Sequence, residues 1–181
     1  MAIRPVRLLG DPVLRSECEP IKQPRSPAVR LVADDLRETL RDLRARHGFG
    51  SGLAAPQIGA PMRLIYIETD EPLYLINPQV LDIGTDDFLV WDDCFSIPDL
   101  LVRVQRAHNI QVGFQDLLGQ RHKIEAEGAM AALLQHEIDH LDGVLIVDQP
   151  SGLDAFCQRQ EWKKQHAKNG QYGEPHARRG P

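Results

Sequence analysis

The sequence predicts an α+β fold in which mainly antiparallel strands pack around a central helix. Helical periodicity recurs near both ends of the chain, short strand-like segments lie between, and no alternating strand–helix repeat is visible. With 181 residues, 42% of them hydrophobic, the chain can fill the core of one ordinary domain. We therefore expect a single domain with an N-terminal amphipathic helix and a C-terminal helix.

The first elements follow from turn residues and apolar spacing. An N-terminal arm interrupted by Gly10, Pro12 and Pro20 is expected to be irregular. Apolar residues recur every three or four positions over residues 28–47, which predicts a helix that ends at Gly48. Residues 50–57 are too rich in Gly and Pro for a regular element but apolar enough to be buried, so we expect a buried loop there.

Short segments rich in Leu, Ile, Val and Tyr are typical of antiparallel strands. They are residues 62–68, 73–76, 80–83, 101–106, 109–116 and 121–127. The last two flank a Gly-containing turn and predict a hairpin. Helical spacing returns over residues 128–142, which form the predicted central helix; a strand at 144–147, a polar helix at 154–168 and a flexible tail at 169–181 complete the prediction.

Charge and cysteine content exclude several classes of protein. The chain has 21 basic and 26 acidic residues, intermixed, with a net charge of −5, which disfavours a direct nucleic-acid site. No apolar run approaches the roughly 20 residues that cross a bilayer, so we expect no membrane segment. Three cysteines cannot all pair within one chain, which indicates a reducing compartment and hence a cytoplasmic protein.

The predicted central helix contains His136-Glu137-Ile138-Asp139-His140, an HExxH pattern. Four residues advance a helix by about 400°, so both imidazoles lie on one face, where they can bind one metal ion, with Glu137 beside them. A catalytic site of this kind needs a third protein ligand. The extended protease pattern requires a third histidine where Ile146 stands, which excludes that class.

Two residues are candidates for the third ligand. Glu161 follows downstream, but the lysines beside it indicate an exposed helix. Cys94 lies in the segment WDDCFSIP, where flanking acids would raise the pKa of an unbound thiol and make it a poor nucleophile. A metal ligand is the better interpretation of Cys94, and Glu161 stays the alternative.

Three segments of the chain together resemble motifs of the peptide deformylase family, which removes the formyl group from the N-terminal formylmethionine of new polypeptides. GSGLAAPQ at residues 50–57 is similar to the family's GxGLAAxQ, DDCFS at 92–96 to its EGCxS, and QHEIDHL at 135–141 to its QHExDHL. The likeness covers roughly residues 5–150 in the expected order. It implies a single catalytic domain over residues 1–168.

The resemblance implies a role for each matching residue. Cys94, His136 and His140 would hold a divalent ion, with Fe²⁺ expected and Zn²⁺, Ni²⁺ or Co²⁺ able to occupy the same site. Glu137 would take the proton of the attacking water. The side-chain amide of Gln57 and the backbone N–H of Phe95 would stabilise the oxyanion.

The implied substrate is an N-formylmethionyl peptide, and a transient contact with the ribosome is a further expectation. Gly50, Ser51 and Gly52 are candidates for main-chain contacts with the peptide. The expected pocket for the methionine side chain is formed by Val90, Ala129, Ala132 and Leu133.

The EGCxS segment departs most from the family pattern. Asp92 replaces a glutamate but can still pair with an arginine such as Arg106, whereas Asp93 replaces a glycine and adds a charge at the rim of the site. Two other functions therefore stay open: a related amidase acting on a different N-formyl or N-acyl substrate, and a non-catalytic metal-binding scaffold. The presence of both Glu137 and Gln57 disfavours the scaffold.

Overall fold

A computed structural model of the protein describes residues 2–69, 71–166 and 173–174. Within these residues there are three α-helices and nine strands. In chain order they are α1 (Pro27–His47), β1 (Gly52–Ala54), β2 (Leu64–Glu68), β3 (Pro72–Ile83), β4 (Asp87–Cys94), β5 (Ile97–Ala107), β6 (Asn109–Gln115), β7 (Arg121–Glu127), α2 (Gly128–Leu141), β8 (Phe156–Gln158), α3 (Arg159–His166) and β9 (Gly173–Glu174). None of the helices in this part of the chain is both long and apolar enough to cross a lipid bilayer.

A five-stranded antiparallel sheet in the order β1-β2-β3-β6-β7 forms the middle of the molecule. Its two faces are both covered, because successive side chains of a strand point to opposite sides. In β2, Leu64 and Tyr66 pack in a cluster with the apolar stripe of α1, whereas Ile65 and Ile67 pack with the apolar face of α2. Helix α2 is therefore central, and its other side is free to face a second sheet.

The second sheet, in the order β8-β5-β4-β9, brings the C-terminal end of β4 to α2. Phe88, Val90 and Cys94 of β4 share a buried cluster with Val102 and Val104 of β5. The pairing of β4 with β5 is irregular between Asp93 and Cys94. This places the end of β4, and with it Cys94, beside the HExxH segment of α2.

The fold class, the first helix, the hairpin and the central helix are confirmed. Ser26 accepts a hydrogen bond from Val29 N–H at the start of α1, and Gly48 ends that helix with φ of 78°. Strands β6 and β7 pair in register across the predicted hairpin, and α2 covers residues 128–141.

Other predicted elements are wrong. Residues 50–57 include strand β1 and a buried 3₁₀ turn, rather than only a loop. Residues 73–76 and 80–83 belong to one strand, β3, which continues past Asn77 through a register irregularity. Residues 146–148 form a 3₁₀ turn instead of a strand, because Leu145 and Ile146 bury their side chains without a pairing partner strand.

The C-terminal prediction is also wrong in part. Phe156–Gln158 pair with the edge of β5, so the helix begins only at Arg159. Residues 167–172 and 175–181, which include most of the predicted tail, lie outside the described residues, and Gly173–Glu174 pair with β4. The predicted domain limits, 1–168 and 169–181, stay a prediction.

Candidate metal centre and its cleft

The HExxH segment and the end of β4 bring three metal-binding side chains together. The ligand atoms of Cys94, His136 and His140 all lie within 4.8 Å of one another, and all three side chains are buried. Sγ of Cys94 is 3.2 Å from Nε2 of His140. One thiol and two imidazoles in this arrangement form the donor set that zinc, iron, cobalt and nickel accept.

Asp92 orients the first of the two imidazoles. Its Oδ2 accepts a hydrogen bond from Nδ1 of His136 at 3.0 Å, which leaves the other ring nitrogen free for a metal. The same oxygen accepts a hydrogen bond from Arg106 at 3.0 Å, and Arg106 also donates to Asp139 at 2.5 Å. The expected pairing of Asp92 with Arg106 is thus present, and it joins β4, β5 and α2 around the site.

Burial and charge together determine the pKa values in the group. Burial lowers the pKa of His136, but the Asp92 carboxylate and Cys94 outweigh this effect, so that the pKa is raised well above the usual value. Burial, with the charge of His136, lowers the pKa of His140 well below the usual value. Burial also raises the pKa of Glu137 to about 7. The two imidazoles therefore differ in how readily they take up a proton, although they lie one helical turn apart.

Glu137 points from α2 toward strand β1. A Cβ atom on Gly52 would lie 2.5 Å from Oε1 of Glu137, so only a glycine leaves room for this carboxylate. Oε2 of Glu137 is buried and has no hydrogen-bond partner among the described residues. An unpaired buried carboxylate oxygen beside three metal-binding atoms fits a site that holds a cation with its water.

Gln57 approaches the group from the 3₁₀ turn that follows β1. Its Oε1 accepts a hydrogen bond from the backbone N–H of Ala54 at 2.8 Å, which fixes the amide. Its Nε2 is 3.5 Å from Sγ of Cys94 and 3.3 Å from Oγ of Ser96, and the side chain is buried. Phe95, the other predicted oxyanion donor, directly follows Cys94. Both donors therefore lie beside the candidate metal ligands.

A cleft of about 1080 Å³ leads to this group, and every predicted substrate-binding residue lines it. Those residues are Gly50, Ser51, Gly52, Val90, Ala129, Ala132 and Leu133. The cleft wall also includes Phe88, Trp91, His108 and Met130, which the sequence analysis did not single out. Phe88 and Trp91 were missed because strand β4 was not predicted.

The alternative third ligand is not part of the group. Glu161 lies on α3, where its carboxylate is exposed and accepts a hydrogen bond from Lys164 at 2.6 Å. The orienting role of Asp92 toward His136 was also missed. Asp92 and Cys94 are two residues apart, so a predicted strand there would have placed both side chains on one face.

Comparison with known proteins gives one consistent result. A family model described as Polypeptide deformylase matches residues 3–155. A peptide deformylase of Mesorhizobium japonicum is 39% identical over 170 residues, covering 91% of this chain and 93% of that protein. The crystal structure of the Thermotoga maritima peptide deformylase superposes with a TM-score of 0.77 at 33% identity, covering 84% of this chain and all of that one. An Acinetobacter baumannii peptide deformylase bound to Met-Ala-Ser has a TM-score of 0.75 at 26% identity, over 82% of this chain and 98% of that one.

Proposed function

The chain belongs to the polypeptide deformylase family and removes the formyl group from the N-terminus of nascent polypeptides, and from its geometry we propose which residues perform each step. The observation that carries the proposal is the convergence of Cys94, His136 and His140 within 4.8 Å, beside the unpaired carboxylate oxygen of Glu137. We assign metal binding to the first three residues and proton transfer to Glu137.

The donor set supports a divalent first-row metal, and we propose Fe²⁺ as the native ion. A thiolate and two imidazoles also suit Zn²⁺, Ni²⁺ and Co²⁺, which are proposed to substitute. When bound, such a cation polarises a carbonyl oxygen and lowers the pKa of a water. Asp92 supports this role because its contact with Nδ1 of His136 fixes the tautomer that a metal ligand needs.

Glu137 is the proposed general base and acid. Its carboxylate accepts a proton from the water that attacks the formyl carbon. When the C–N bond breaks, the same group returns the proton to the leaving amine, and the formyl group departs as formate. Gly52 leaves the space that this carboxylate occupies, so strand β1 contributes to the position of the base.

Gln57 and Phe95 are the proposed donors to the oxyanion. The amide of Gln57 is held by its contact with Ala54, which leaves its NH₂ directed toward Cys94. The backbone N–H of Phe95 is next to the same cysteine in sequence. Donors that are fixed before the reaction stabilise developing charge without reorganisation, and losing one typically costs about 10²- to 10³-fold in rate.

The proposed substrate is an N-formylmethionyl peptide that lies along the cleft. Gly50, Ser51 and Gly52 offer main-chain groups to the peptide backbone, in the manner of an added strand. The methionine side chain is assigned to the apolar part of the cleft formed by Val90, Ala129, Ala132 and Leu133. The Acinetobacter relative is bound to Met-Ala-Ser, which supports a peptide as the ligand proposed here.

The cytoplasm is the proposed location, because nascent chains emerge there and the three cysteines, two of them buried, are all free thiols. A transient contact with the ribosome stays a prediction.

The deciding experiment measures formate release from formyl-Met-Ala-Ser by protein loaded with Fe²⁺ without oxygen. Turnover is expected, with Glu137→Gln nearly inactive and Glu125→Gln, a change at an exposed position of β7, unaffected. Acetyl-Met-Ala-Ser and formylated amino acids are measured in parallel. Preferential turnover of these compounds would instead support the amidase alternative, and full activity of Glu137→Gln would refute the assigned role of Glu137.

A further inference from the structure

Arg159, the first residue of α3, reaches the residue that precedes Cys94. Its Nη2 donates a hydrogen bond to Oδ2 of Asp93 at 2.7 Å, and its Nε lies 4.0 Å from Oδ1 of Asp99. Only 10% of the Arg159 side chain is exposed. The C-terminal helix is therefore linked by charge to the end of β4, at the position where the family motif has a glycine.

Two aromatic rings continue from Arg159 to the residue that follows Cys94. The guanidinium carbon of Arg159 lies 4.3 Å from the ring centre of Phe49. Phe49 in turn stacks on Phe95, with 5.4 Å between centroids and 9° between planes. We call Asp93, Arg159, Phe49 and Phe95 the Arg159 column.

The column ends against the glycine-rich wall of the cleft. A Cβ atom on Gly50 would lie 2.3 Å from Cζ of Phe95, so the ring rests directly on this glycine. The φ angle of Gly50 is also 102°, a backbone conformation that other residues rarely adopt. Phe95 thus joins the end of β4 to the loop after α1.

The column includes both sequence neighbours of Cys94, the candidate metal ligand. Side chains alternate along β4, so Asp92 and Cys94 face α2 while Asp93 and Phe95 reach Arg159 and Phe49. The ladder between β4 and β5 is irregular between Asp93 and Cys94, so regular strand pairing does not fix this segment. The segment is held in part by the hydrogen bond from the backbone N–H of Leu9 to the carbonyl of Ser96 and by the contact of Cys94 with His140, and the column adds a side-chain restraint from Arg159.

We propose that Arg159 is a positioning residue for deformylation, which holds Cys94 and the backbone N–H of Phe95 in place through Asp93 and Phe49. This inference rests on the proposed function, because it assumes the roles assigned there to Cys94 and Phe95. It also assigns a purpose to one departure from the family motif, because Asp93 is the anchor for Arg159, and to Phe95 at the variable position, which is the last ring of the stack.

The test compares Arg159→Ala with the wild type in steady-state deformylation of formyl-Met-Ala-Ser. Because Arg159 acts on groups that meet the transition state, kcat is expected to fall about 10- to 100-fold with KM changed by about twofold or less. Arg159→Lys keeps a charge for Asp93 but loses the planar group over Phe49, so an intermediate kcat is expected. Arg4→Ala is the matched control, because it removes a 2.8 Å ion pair with buried Asp35 outside the cleft, and its kcat is expected to be unchanged.

A second measurement does not depend on turnover. The rate at which a chelator removes Co²⁺ is expected to rise in Arg159→Ala and to be unchanged in Arg4→Ala, with both rates measured well below the thermal midpoint of each variant. If Arg159→Ala does not fold, Asp93→Asn replaces it under the same two criteria. Wild-type values of kcat and of the Co²⁺ loss rate would overturn the inference. If the wild type itself fails to deformylate, the proposed function fails, and the Co²⁺ loss rate alone decides the inference.

Discussion

Replacing Gly52 by alanine tests whether the position of Glu137 controls the reaction. The added Cβ would lie 2.5 Å from Oε1, 2.9 Å from Cδ and 3.0 Å from Cγ of Glu137. The shortest of these distances is roughly 1 Å inside the 3.4 Å at which ordinary contact begins, so the carboxylate must move by about that amount. Gly52 lies in the extended backbone of β1, which alanine adopts without strain.

A misplacement of about 1 Å at a reacting group can cost about 10²-fold in rate, and this is the loss of kcat expected for Gly52→Ala. Metal content is expected to be unchanged, because none of the three ligands is touched. The control is Gly113→Ala in β6, where the three atoms nearest to the new Cβ all belong to Leu81, an exposed side chain that can rotate away. A kcat for Gly52→Ala within about threefold of the wild type would refute the reasoning.

Three further changes test the site and the fold. Cys94→Ser is expected to lose most of the bound metal after dialysis, because a hydroxyl is a poorer ligand than a thiolate, whereas Cys157→Ser keeps it. Asp92→Asn is expected to weaken metal binding about 10- to 100-fold, measured by competition with a chelator, because the imidazole of His136 loses its anionic partner. Asp35→Asn is expected to lower the urea midpoint at pH 7. Burial raises the pKa of Asp35, but the hydrogen bonds from Arg4 and from the backbone N–H of Ala2, with the positive charge of Arg4, together outweigh burial and lower the pKa below its ordinary value of 3.8. This stabilisation is therefore complete well above pH 3.8 and is lost as the pH falls through the folded-state pKa. A difference in midpoint between wild type and variant that persists at low pH would contradict this reasoning.

The helices were predictable because the residues that determine each helix lie within one short stretch of sequence. Apolar spacing, Ser26 at the start and Gly48 at the end define α1 within a single stretch of sequence. The same holds for α2, where the HExxH pattern itself requires a helix to bring two imidazoles to one face. The metal centre was therefore largely predictable, since two ligands lie in one helix and the third in a recognisable motif.

Strand boundaries depended on partners that the sequence does not show. Asn77 and Pro78 are typical of the end of a strand, yet β3 continues past them through an irregularity in its register. Asn77 adopts a φ of 50° at this point, and its side chain binds the backbone of Ile21 from the N-terminal arm, which lies far away in sequence. The short apolar run at 144–147 was read as a strand, although its residues serve only to fill a core. The contact of Arg159 with Asp93 was beyond sequence reasoning, because nothing local marks a pairing between residues so far apart.

The two departures in the DDCFS segment have different consequences, which follow from the faces of β4 on which they lie. Asp92 is shorter than the glutamate of the family motif, yet its Oδ2 is 3.0 Å from both His136 and Arg106, so the face toward α2 keeps the contacts that a metal site needs. Asp93, the next residue along β4, also lines the cleft, and its carboxylate there accepts a hydrogen bond from Arg159. Arg159 is the more buried member of this pair, and a buried charge that loses its partner is costly, so the aspartate at position 93 supplies the anion that the Arg159 guanidinium needs. The C-terminal helix therefore takes part in holding the metal site through Arg159, although Arg159 is not among the described residues that line the cleft.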